Sequence, residues 1–158
     1  MKKNVLITLI LSLVILFGVS ANTYAQRKSV SGAEVTGSYR YSFTGKYKGT
    51  SNEIKILALG GGKLKVSFDL TYPFTTSNGE MSANVGQAVG EATIEGDTAI
   101  YSTSDGGNCA ITIKFLKPGM IKVTQEQDGA GCGFGMNVSA QGTYKKFSSK
   151  KPTFENLN

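Results

Sequence analysis

Histidine is missing from this chain of 158 residues. That absence removes the usual general base, the usual activator of a nucleophile and the commonest metal ligand. No G-x-S-x-G elbow occurs, and no GxxxxGK[ST] phosphate loop. The glycine-rich stretch Gly129–Gly135 does not lead from a strand into a helix, so it lacks the setting of a phosphate cradle. Outside the N-terminus no segment carries a 3.6-residue apolar period, which excludes a helical architecture. No cysteine follows the N-terminal apolar run, so a lipoprotein anchor there is excluded. Cysteine occurs twice in all, as Cys109 and Cys132.

The N-terminus reads as an export signal. Lys2 and Lys3 precede an uncharged run, Val5 to Val19, and small residues follow up to Ala25. This pattern predicts a signal peptide over 1–25, cleaved after Ala25, with no transmembrane segment after processing. The alternative is an uncleaved anchor helix, for which the run is short. Loss of Lys2 and Lys3 takes two from the formal charge of +6. The remainder suggests a mild preference for anionic surfaces and does not point to nucleic acid. The expected organisation is a polar, flexible segment 26–34, one domain over 35–147 and a basic, flexible tail 148–158.

What fills that domain is alternation. Tyr39, Tyr41 and Phe43 alternate with Arg40 and Ser42 within 35–43. Residues 53–59 alternate again, and Gly60-Gly61-Gly62 turns the chain into 63–70. There Leu64, Val66, Phe68 and Leu70 face one way and Lys63, Lys65, Ser67 and Asp69 the other, with Tyr72 and Phe74 in position to prolong the strand. Further strands are expected over 86–95, 98–103, 109–115, 120–126 and 137–144. Period two marks half-buried strands. Gly96-Asp97, Asp105-Gly106-Gly107-Asn108 and Lys117-Pro118-Gly119 supply turns between them. Two connections are long, 75–85 and 127–136.

Eight strands in sequence, each joined to the next by a turn, predict an all-β fold. The expected form is an eight-stranded antiparallel up-and-down barrel of calycin or lipocalin type, with a β-sandwich as the alternative. Such a barrel is wide enough to be filled by side chains or to hold one small ligand. The inward residues of 86–95 are small (Ala88, Gly90, Ala92), which fits either a cavity or close packing. In an exported protein Cys109 and Cys132 are expected to form a disulfide, worth about 3 kcal/mol on the chain-entropy model for a loop of ~24 residues.

Candidate chemistry is sparse. Glu91, Glu95 and Asp97 could bind Ca²⁺ or act as an acid/base pair, against the simpler reading of a solvated face. No cofactor and no metal site is expected. Asn137-Val138-Ser139 forms a glycosylation sequon. Loops carry function on rigid scaffolds, so the candidate interface comprises Phe134, Gly133, Gly135, Asp128, Asn78 and Glu80. Phe134 has two open readings: an aromatic anchor for a partner, or a plug folded over the barrel end.

Several stretches resemble a group of small exported bacterial proteins. They are Cys109–Phe115, Ile121–Gln125, Cys132–Gly135 and Gly142–Lys146, within about residues 98–146. The disulfide-pinned barrel is similar to the periplasmic inhibitors of c-type lysozyme, although the inhibitors' cleft-inserting serine and lysine have no match here. Gly37-Ser38-Tyr39 and Gly142-Thr143-Tyr144 also resemble the pattern of lipocalin-like barrels. The export signal and the missing catalytic set predict a periplasmic or secreted, non-enzymatic binding protein, expected to be a monomer, and the resemblance implies a lysozyme-like enzyme as its target. The alternative is a lipocalin-like carrier of a small apolar ligand.

Overall fold

A computed structural model describes residues 29–103, 108–126 and 130–154. Eight antiparallel strands close into one barrel in sequence order. They are β1 (Gly37–Ser42), β2 (Ser51–Gly60), β3 (Lys63–Thr75), β4 (Met81–Glu95), β5 (Thr98–Thr103), β6 (Cys109–Lys117), β7 (Met120–Gln125) and β8 (Gly142–Ser148). The signal-peptide region and Asp128 lie outside the described residues. The sandwich alternative is ruled out by closure: β1 pairs with both β2 and β8.

One helical turn, α1 (Gly32–Val35), precedes β1; it takes up the end of the segment 26–34 expected to be loose and Val35, which was expected to open the first strand. The Ser31 hydroxyl accepts the Glu34 N–H and caps it. Lys146, on the inward side of β8, donates to the carbonyls of Glu34 and Thr36 at the other end of that turn. Burial lowers its pKa from the usual lysine value, while the Glu34 charge opposes the shift. Val35 thereby enters the core.

Inward positions are apolar and almost fully buried: Ile54, Ile56, Leu64, Val66, Phe68, Leu70, Ile111, Ile113, Ile121 and Val123. Tyr39 and Tyr144 are buried among them, and each hydroxyl donates to a carbonyl four residues earlier, on Val35 at 2.8 Å and Ala140 at 2.9 Å. Outward positions carry Lys63, Glu91, Lys114 and Lys122, all exposed. This is the reverse of a membrane-spanning barrel, whose outer band must be apolar. No described helix is long and apolar enough to cross a membrane.

Most strand ends fall within two residues of the expected ones, and two regions differ more. The last strand is Gly142–Ser148, not 137–144. The alternation of Val138, Ala140 and Tyr144 does reflect burial. However, three residues before Gly142 use bonds outside any strand ladder. Val138 N–H donates to Gly135 O, Ala140 N–H to the Gln125 side chain and Gln141 N–H to Ser139 Oγ. The basic Lys145-Lys146-Phe147 stretch instead continues the strand and closes the barrel through Tyr39↔Lys146 and Arg40↔Lys145. Beyond β8 the chain reaches Phe154, over whose ring the Lys65 ammonium lies at 5.0 Å.

The second difference is the polar stretch 75–85, most of which is strand. The β3–β4 ladder runs unbroken from Lys63↔Thr93 to Thr75↔Met81. Residues 81–85 show no apolar alternation because this part of the hairpin extends past the barrel wall, leaving both faces largely exposed. Where β3 outruns β2, the buried Asn52 side chain replaces the missing ladder bond by accepting the Thr71 N–H at 2.8 Å.

Candidate functional site at the long-loop end

In an up-and-down barrel, successive connections alternate between the two ends. One end therefore carries the short turns 61–62, 96–97 and 118–119 and, beside them, α1. The other carries the connections 43–50, 76–80, 104–108 and 126–141. Of the candidate interface residues, Phe134, Gly133, Gly135, Asn78 and Glu80 fall at this second end.

The 130–141 segment is pinned there at several points. Cys132 is bonded to Cys109 at the start of β6, with their Cα atoms 4.6 Å apart. Phe134 follows and turns inward. It is 6 % exposed, and its ring centroid lies 6.2 Å from that of Phe68. Gly135 N–H then donates to Val85 O at 3.2 Å, and the Asn84 amide donates to Met136 O at 2.7 Å. Val138 returns to the core.

The small inward residues of β4 answer to these rings. A Cβ on Gly86 would stand 2.8 Å from Phe134 Cβ and 2.9 Å from Val138 Cγ1. A Cβ on Gly90 would stand 2.8 Å from the Tyr101 ring. Tyr101 packs edge-on against Phe68 at 5.1 Å. At these two positions glycine is required by close approach, and the room it leaves is taken by aromatic side chains.

The candidate residues are therefore distributed unevenly. Gly133 is exposed and Gly135 is half-buried against β4, while Phe134 points away from solvent. Asn78 and Glu80 are exposed in the tight turn Thr76–Glu80, where Thr76 N–H donates to Glu80 O and Glu80 N–H to Thr76 Oγ1. From Asn84 to Met81 is three residues of strand, so this tip stands roughly 10 Å beyond the Asn84–Met136 contact. Asn78 and Glu80 thus do not meet Gly133 and Gly135.

Sequence reasoning missed four other residues at this end. Tyr72 (40 % exposed), Met81 (63 %), Val85 (64 %) and Met136 (77 %) are large apolar side chains in solvent. Tyr72 sits opposite Asn84, which holds Met136, while Met81 and Val85 share the other face of the hairpin. Their signal was weak: isolated apolar residues among Ser, Ala and Asn.

The carboxylates do not converge. Glu91 is exposed and paired with Lys63 at 3.6 Å. Glu95 lies four residues along the same strand, about 13 Å away. Asp97 accepts the Thr98 hydroxyl at 2.8 Å. Among the described residues no three His, Cys, Asp or Glu side chains group together as metal ligands. What this end offers is a surface: a locked loop and a projecting hairpin, with apolar side chains exposed on both. Comparison with family models, with curated proteins and with solved structures finds no significant match.

Proposed function

We propose that this barrel is an exported, non-enzymatic binding protein that grips a macromolecular partner with its long-loop end. The observation that carries the reading is the exposure of Tyr72, Met81, Val85 and Met136 on segments held by a disulfide and by side-chain hydrogen bonds. Large exposed apolar side chains on a pre-ordered surface form an interface at little ordering cost. The disulfide is compatible with an oxidising compartment, the periplasm or the exterior.

A lysozyme-like enzyme is the partner to test first. The resemblance of residues 98–146 to lysozyme inhibitors supports it. The carrier alternative is disfavoured beside β4, where Phe134, Tyr101 and Phe68 fill the interior.

The test is inhibition and direct binding of c-type lysozyme by the purified protein, and by its Met81→Glu and Met136→Glu variants. Both side chains are exposed, so the variants should melt as the wild type does while binding weakens at least tenfold. No binding by the wild type would remove lysozyme as the partner. Binding untouched by either variant would remove this end as the interface.

A further inference from the structure

The outer wall of β6, β7 and β8 differs from the rest of the barrel. These three strands contain no aspartate or glutamate. Their inward positions, Ile113, Phe115, Ile121, Val123 and Tyr144, are buried. The alternation therefore turns Lys114, Lys122 and Lys145 outward, and Lys117 joins them at the β6–β7 turn; all four are exposed. Lys114 stands directly opposite Lys122. Lys145 and Lys117 stand opposite Met120 from its two sides. Like charges facing across a ladder destabilise it. Among the described residues the ion pairs Arg40–Glu53 and Lys63–Glu91 lie on other strands and relieve none of these four. Two large apolar side chains share the wall at the short-turn end, Leu116 at 41 % exposed and Phe147 at 48 %.

We propose that this wall docks the protein on a bilayer containing anionic phospholipid, with the lysines among the headgroups and Leu116 and Phe147 at the headgroup–acyl boundary. The wall is the convex outside of a barrel. Mobile headgroups can gather around four scattered ammoniums there, whereas a folded acidic protein would need matched, fixed charges. Basic residues interleaved with exposed Leu and Phe are the pattern of a membrane-surface site. Lysines that face one another and have no ion pair among the described residues gain most from such a layer of counter-charge. The surface is separate from the long-loop end, so both can be occupied at once.

The experiment is co-sedimentation with vesicles of phosphatidylcholine, with and without phosphatidylglycerol, at low and high salt. Binding is expected with phosphatidylglycerol alone and is expected to weaken with salt. Each lysine near such a surface is worth about a fivefold change in partition, so combined Lys114→Gln, Lys122→Gln and Lys145→Gln substitutions should lower it about a hundredfold. That variant should melt no lower than the wild type, since it removes repulsion. The control, Lys63→Gln with Lys65→Gln on another wall, should lose fivefold or less. Equal binding to both vesicle types would overturn the proposal. So would full binding by the triple variant, or equal losses in variant and control once scaled per charge. Saturable binding of an acidic protein, with no partition onto vesicles, would overturn it as well.

Discussion

Replacing Phe134 with alanine tests how the long-loop end is built. The ring is almost wholly buried, lies against Phe68 and sits over the glycine-lined stretch of β4. Its removal leaves a cavity that the disulfide-tethered loop can only partly collapse into. The expected cost is about 3–5 kcal/mol, or a melting temperature lower by roughly 10–20 °C for a domain of this size. Gly86→Ala probes the same contact from the other side. The added methyl would meet Phe134 Cβ, Val138 Cγ1 and Phe134 Cδ1 at 3.0 Å or less. Overpacking of this kind costs about 1–3 kcal/mol. In the Phe134→Ala background the ring is gone and the loop can yield, so the same substitution should cost about 1 kcal/mol less. The assay is urea unfolding of the wild type, both single variants and the double variant, without reductant. A loss under about 1 kcal/mol for Phe134→Ala, or additivity within about 0.5 kcal/mol, would refute the plug as the organiser of this end.

Reducing the Cys109–Cys132 bridge, or replacing both cysteines with alanine, should cost about 3 kcal/mol; a variant as stable as the oxidised protein would show that hydrogen bonds alone hold the loop. Alkaline pH should also unfold the barrel, because burial raises the hydroxyl pKa of both Tyr39 and Tyr144 above the ordinary phenol value. The unfolded phenols ionise near pH ~10 while the folded ones do not, so stability is fully present below that pH and falls above it, by about 1.4 kcal/mol per pH unit for Tyr144. Denaturant midpoints measured across this range should decline less steeply in Tyr144→Phe, and an unchanged slope would contradict the buried, neutral hydroxyl.

The strand count, the order of connections and the inward residues of β2, β3, β6 and β7 could all be read from the chain. In those strands one face is buried and the other wet, so Leu64, Val66 and Phe68 against Lys63, Lys65 and Ser67 leave a period of two in the sequence. The Cys109–Cys132 bridge was expected on other grounds, from the export signal, with nearby strands making the distance plausible. Alternation reports burial, however, and hydrogen bonding follows a separate pattern. Val138 and Ala140 are buried in a loop, whereas the barrel closes through Lys145 and Lys146, whose side chains gave no apolar signal. The 81–85 half of the hairpin was hidden for the opposite reason: a strand wet on both faces has no period to show. Only packing in three dimensions decided that Phe134 turns inward, because the glycine that accepts it, Gly86, lies about fifty positions earlier, on β4. The same holds for the two surfaces. Tyr72 and Met136 come together through one long-range bond, Asn84 to Met136 O, and Lys114, Lys122 and Lys145 form a wall only because closure sets β6, β7 and β8 side by side. Local sequence determines which face of a strand avoids water. Which faces then meet is decided by the register and closure of the whole sheet.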